Sequence, residues 1–188
     1  MNEQLTNVVL SLSSFSNKRI ESLSKKVLKK MSFSSSKDLS NLEELCCWLY
    51  IYGYVIELKK FYSIIFSLSF CGNYDIWTPI ECMLSLIYYI TSKDKNTQNE
   101  AKIALEKIIQ AETDKANIIK RCDGFLLKEF EDKVREYTIL GKKTDLRNWL
   151  RYEMQELLLI YALGGSEKYP YEKIESRVEE IKKILKEM

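Results

Sequence analysis

Leu45-Cys-Cys-Trp-Leu-Tyr-Ile-Tyr-Gly-Tyr54 and, further on, Cys71-Gly-Asn-Tyr-Asp-Ile-Trp-Thr-Pro-Ile-Glu81 decide how this chain folds. From Leu42, just before the first stretch, Leu45, Trp48, Leu49 and Tyr52 continue at the spacing of a buried helix face. Gly53 then offers the left-handed conformation that ends a helix. Beyond it Ile56, Phe61, Ile64, Ile65 and Leu68 form the apolar side of a second helix over 54–70, with Glu57, Lys59 and Lys60 on its wet side. Helix, glycine turn and helix predict an αα-hairpin. In the second stretch Gly72 and Asn73 tolerate positive φ and reverse the chain. Thr78, Pro79 and Glu81 then spell an N-cap, a first-turn proline and a capping box. The helix they start buries Ile80, Met83, Leu84, Ile87, Tyr88 and Ile90.

Outward from this centre the periodicity stays helical. The first hairpin helix is expected to start at Ser40 or Asn41, with Glu43 and Glu44 favouring the positive end of its dipole. Residues 1–36 predict one or two amphipathic helices through Leu5, Val8, Val9 and Leu12, then Ile20, Leu23, Val27 and Leu28, with Asn17 as the second cap. Their polar side carries Lys18, Arg19, Lys25, Lys26, Lys29 and Lys30 against Glu21 alone. Met31-Ser-Phe-Ser-Ser-Ser-Lys37 reads as a loop, as does the polar run 91–99. Residues 99–140 predict one kinked helix or two, closed by a Gly141 turn. Thr144 or Asp145 caps a helix over 145–163, which stops at Gly164-Gly165. Tyr169-Pro170 opens the last helix, whose Ile174, Val178, Ile181 and Leu185 keep the same period. Trp48–Tyr54 and Trp149–Gly165 thus share one layout: a Trp-led apolar helix, a glycine stop and an amphipathic helix.

With 6 Gly and 2 Pro in 188 residues, few positions force turns, and long periodic segments favour helices over short strands. The expectation is a single all-α domain over 1–188, built as packed αα-hairpins. It is tetratricopeptide-like or an irregular array of about seven or eight helices. Its segments are a basic amphipathic region at 1–36, an aromatic hairpin core at 40–92 and C-terminal helices at 99–188.

Composition also narrows the chemistry. Histidine is absent, which removes Ser-His-Asp and Cys-His nucleophile systems and His-ligated metals. No phosphate-binding glycine loop, nucleophile elbow or dinucleotide fingerprint occurs. Glu153 and Glu156 stand three apart on one helix but lack the partners of a dimetal site, so no metal is expected. Five Cys without a Cys-x-x-Cys pair, and no leader-like N-terminus, point to reduced thiols in a cytoplasm. Cys82 and Cys122 read as small core residues, and Cys71, beside the turn, as the thiol worth testing for reactivity. The most apolar windows fall short of the ~18 uncharged residues a membrane span requires. The net charge of +2 gives no global push towards nucleic acid.

Trp48-Leu-Tyr-Ile-Tyr-Gly-Tyr54 and Gly72-Asn-Tyr-Asp-Ile-Trp-x-x-x-Glu81 together resemble a bacterial family of unknown function. Its members carry a similar W-x-Y-x-Y-G-Y helix end and G-N-Y-x-x-W-x-x-x-E restart. By analogy with small helical families, the resemblance implies an immunity-type protein that neutralises a toxin. The expected function is therefore a non-catalytic protein–protein interaction module without cofactor. Tyr50, Tyr54, Asn73 and Tyr74 are the partner-binding candidates, because tyrosine gives large contact area at low entropic cost. Trp48, Tyr52 and Trp77 are expected in the core, and Glu81 in its capping box. The alternative is nucleic-acid binding or regulation through the basic face of residues 18–30.

Overall fold

The computed structural model describes residues 3–29, 36–67, 93–111, 129–162, 164–165 and 167–188. Among them it is an all-α array of eight helices without a strand. These are α1 (Glu3–Leu12), α2 (Lys18–Lys29), α3 (Ser36–Tyr52), α4 (Val55–Ser67), α5 (Lys95–Ala111), α6 (Glu129–Ile139), α7 (Lys143–Ala162) and α8 (Tyr171–Glu187). The chain divides into two compact units, Met1–Lys102 and Ile103–Met188.

In the first unit α1 packs on α2, α2 on α3, α3 on α4, and α4 back on α1, which closes a ring of four helices. Leu5, Val9 and Leu12 of α1 and Ile20, Leu23 and Val27 of α2 supply narrow buried stripes. Burying each such side chain stabilises by about 1.5–3 kcal/mol. Ser24 joins the α2 stripe because its hydroxyl donates to the Ile20 carbonyl at 2.7 Å, so no polar group is left bare. α3 differs from both: Leu45, Cys46, Cys47, Trp48, Leu49 and Ile51 are all buried, so this helix is the unit's centre. The expected core thus includes Trp48, while Tyr52 is half-buried.

Local signals set several boundaries. Asn17 caps α2, its side-chain oxygen accepting from the Arg19 and Ile20 amides at 3.0 and 3.2 Å. Gly53, at φ 78°, ends α3: its amide donates to Tyr50 and the Tyr54 amide to Leu49, the paired bonds of a Schellman motif. The same pairing closes α6 at Gly141 and α7 at Gly164.

Three starts lie earlier than the sequence suggests. α3 begins at Ser36 and not at Ser40 or Asn41, since Lys37, Asp38 and Leu39 contain no helix breaker. α5 begins at Lys95 and not Asn99, because Asp94 caps it by accepting from the Thr97 amide and hydroxyl at 2.9 and 2.8 Å. Those bonds also hold the Asp94 carboxyl below its ordinary range. α7 begins at Lys143, leaving Asp145 inside its first turn. The capping box at Thr78–Glu81, the loop at 31–35 and the join at 112–128 lie outside the described residues, and so do Trp77 and Cys71, Cys82 and Cys122.

In the second unit α7 packs on α6 and on α8. α8 buries Ile174, Val178, Ile181 and Leu185 on one face. Leu146, Leu150, Glu153, Leu157 and Ile160 form the matching stripe of α7, at alternating spacings of four and three, with a glutamate at its middle position.

Candidate functional site

The α3–α4 turn meets the connection between α1 and α2, and aromatic rings join them. Tyr54, directly after Gly53, stands edge-on to Phe15 with ring centroids 4.9 Å apart and planes at 88°. Tyr52 lies 6.1 Å from Tyr54 and stacks at 5.6 Å on Trp48. Beneath them the Arg19 guanidinium sits 4.1 Å from the Trp48 ring centre, a cation–π pair. Five side chains from α2, α3 and the two connections therefore make one series: Arg19, Trp48, Tyr52, Tyr54, Phe15. Trp48 is fully buried, whereas Arg19, Tyr52, Tyr54 and Phe15 are half-buried. Leu10, five residues before Phe15, is 55% exposed, and Ile56, two after Tyr54, is 70% exposed. Leu10 lies on α1, which leads into the first connection, and Ile56 on α4, which follows the second.

Two donors in this corner are unsatisfied. Arg19 Nη1 and Trp48 Nε1 are buried, and neither finds an acceptor among the described residues. Leaving such a donor bare costs about 1–3 kcal/mol. Asn17 contributes indirectly, because its cap fixes the first turn from which Arg19 projects.

The matching family model covers residues 1–187 and is described only as a family of unknown function, DUF6707. The chain belongs to that family. No curated protein and no solved structure matches it.

Of the residues singled out in this DUF6707 member, Tyr54 lies in the ring series. Tyr50 does not: two residues from Tyr52, it is rotated about 200° around the helix and half-buried on another side. Asn73 and Tyr74 lie outside the described residues. The reading from sequence missed Phe15 and Arg19. Phe15 had one signal, a lone aromatic among Ser13, Ser14 and Ser16. Arg19 was grouped with the basic polar face, but it turns onto Trp48. That face is further reduced by Glu21, which pairs with Lys25 at 2.6 Å and Lys18 at 3.2 Å. Lys25 first, then Lys18, holds the Glu21 carboxyl below its ordinary range. Lys26 and Lys29 have no ion pair among the described residues and line an open groove of about 520 Å³ with Lys18, Glu21, Ser22 and Lys25.

The second unit has a comparable aromatic series with its polar groups engaged. Trp149 lies 5.7 Å from Phe130 and 6.1 Å from Tyr137. Arg177 covers Phe130 at 4.1 Å while its Nη1 donates to Glu180 at 2.8 Å. Tyr161 packs 4.6 Å from Tyr171 and its hydroxyl donates to Glu175 at 3.0 Å. The polar feature of this unit is Glu153, 6% exposed, with Glu156, 8% exposed, three residues on. Burial, and then the neighbouring Glu156 charge, pushes the Glu153 carboxyl up to about 8. Burial thus favours its protonated form. Among the described residues no group of three or more His, Cys, Asp or Glu is placed to hold a metal ion. Cys46 is also unsuited to nucleophilic work, since burial first, then Glu43 and Cys47, pushes its thiol well above the ordinary range.

Proposed function

We propose that this chain is a non-catalytic protein-binding module whose contact surface is the corner formed by Phe15, Tyr52, Tyr54 and Arg19. The observation that carries this reading is the chemistry of that corner. Trp, Tyr and Arg are the residue types that dominate binding hot spots, and here they form one continuous series on a buried Trp48 base. In the finer version, drawn from the family resemblance, the module is an immunity-type protein that occludes a toxin's active surface. A cytoplasmic setting is supported by the buried Cys46 thiol, which forms no disulfide.

The test is affinity capture from native lysate with wild type, Phe15→Ser/Tyr54→Ser, and Ile139→Ser/Leu140→Ser. The last pair alters exposed apolar residues of the second unit. One protein captured by wild type and by the second-unit variant, and lost by the first, supports the reading. Equal capture by all three removes it. A second reading, nucleic-acid binding or regulation, rests on Lys26 and Lys29 in the α2 groove. It requires binding that falls steeply with salt, because the contacts would be to phosphates.

A further inference from the structure

We propose that the α2 groove seats the phosphate backbone of a nucleic-acid duplex, with Glu21 as the resident counter-ion that the backbone displaces. This deepens the nucleic-acid reading of the groove and rests on it.

Lys18, Ser22, Lys25 and Lys29 follow one another at steps of four, three and four, so they form one stripe along α2. The stripe runs for about 16 Å at the rise of an α-helix. Lys26 borders it, four residues after Ser22 and three before Lys29. All five side chains are exposed, and with Glu21 they line the open groove of about 520 Å³. Four ammonium groups thus share one groove with a single carboxylate.

That carboxylate sits as an incoming anion would. One Glu21 oxygen accepts from Lys25 at 2.6 Å and the other from Lys18 at 3.2 Å. Surface pairs of this kind are weak and screened by salt, so a polyanion can replace Glu21 on both lysines. Lys26 and Lys29 have no ion pair among the described residues and need no such exchange.

The lining decides between anions. Among the described residues it holds no aromatic or aliphatic side chain. A folded acidic protein would therefore miss the hot-spot contacts that give protein interfaces their affinity. Single-stranded bases would find no ring to stack on. A duplex backbone needs neither. It carries one charge per about 1.7 Å of axis, so its phosphates meet the stripe at any register. Its convex ridge also enters a groove, where a flat membrane surface would touch only the rims. Contacts to phosphate alone carry no sequence information. Arg19 is not in the lining and turns onto Trp48, so the groove and the aromatic corner use different residues.

The test is fluorescence anisotropy of a short labelled DNA duplex of mixed sequence, titrated with the full-length protein across a salt series. Wild-type affinity is expected to fall with salt at a log–log slope of about −2 to −4, as neutralising two to four phosphates requires. Lys26→Gln/Lys29→Gln should weaken binding on the order of 10-fold and make the slope shallower by about 2. Glu21→Gln should tighten binding several-fold, because Lys18 and Lys25 then meet phosphate without an exchange. Lys142→Gln/Lys143→Gln removes the same charge from exposed positions of the second unit and should change binding far less. Circular dichroism checks that each variant keeps its helices. The matching single strand, a polyglutamate peptide and phosphatidylserine vesicles should each compete more weakly than unlabelled duplex. Equal weakening by the two lysine pairs, or no tightening by Glu21→Gln, would overturn the groove assignment. Stronger competition by the single strand, the peptide or the vesicles would overturn the duplex assignment. Failure here is separable from failure of the nucleic-acid reading. A duplex bound alike by wild type and Lys26→Gln/Lys29→Gln removes the groove and leaves that reading, whereas no duplex bound by any variant removes both.

Discussion

The α3–α4 and α7–α8 hairpins are closed alike and filled differently. Each has an apolar helix ended by a glycine in a Schellman motif, Gly53 in one and Gly164 in the other, followed by a second helix. In the first, the helix centre is apolar throughout and the unsatisfied groups are donors at one corner, on Arg19 and Trp48. In the second, the arginine stacked on an aromatic ring, Arg177, has its carboxylate in Glu180, and one discordant group is an acid in mid-stripe, Glu153. The turn therefore sets the connection, while the polar exceptions set what each unit can respond to. One leaves two buried donors without an acceptor among the described residues, and the other buries an acid whose carboxyl is pushed up.

The largest expected difference between the hairpins comes from removing each tryptophan. Trp48→Ala opens a cavity in a fully buried helix and should cost about 3–5 kcal/mol in urea unfolding. Trp149 is half-buried, and Trp149→Ala should cost about 1–2 kcal/mol. Equal losses would mean that α3 is not the more central helix.

Next is Glu153. Its folded value near 8 lies above the ordinary value of 4.5. Its unfolded form therefore loses the proton first. Stability from this group is full below pH 4.5 and declines as pH rises towards 8, by at most ~1.4 kcal/mol per pH unit. Glu153→Gln should flatten that decline in a pH series of unfolding curves. Glu153→Leu, which completes the apolar stripe, should raise stability at pH 8 by about 1–4 kcal/mol. A wild-type curve with no fall between pH 5 and 8 would contradict the burial of this acid.

The glycines give a smaller contrast. Gly53→Ala meets nothing within 4 Å, so its cost is the positive φ alone, about 1–2 kcal/mol. At Gly165 an added Cβ would stand 3.0 Å from the Tyr169 carbonyl oxygen, so Gly165→Ala should cost more than Gly53→Ala in the same thermal melts. Smallest is Asn17→Ala, expected to lose about 1 kcal/mol by uncapping α2.

What could be read in the sequence was local. Gly53, Gly141 and Gly164 end helices as their intrinsic freedom suggests, Asn17 caps where it should, and the α8 stripe follows its own period. Asp94 was missed because it sits in a polar run where any residue could cap, and its bonds to Thr97 decide the matter. The site was less legible, since its members meet only in three dimensions. Arg19 belongs by spacing to a lysine-rich face, and nothing local says that α3 brings an indole beneath it. Phe15 and Tyr54 are far apart in sequence and meet because α1 closes the ring on α4. Glu153 and Glu156 read as two carboxylates on one helix face, and only the packing of α7 shows that both are buried.

The most direct measurement replaces Tyr54 or Tyr171 with photo-reactive benzoylphenylalanine and irradiates each protein in native lysate. Both rings stand where the second helix of their hairpin begins, but only Tyr54 belongs to the proposed contact surface. A single saturable protein adduct from position 54, absent from position 171 and competed by unlabelled wild type, is the expected result. No adduct from position 54, or the same adducts from both, would contradict the assignment of partner binding to the first-unit corner.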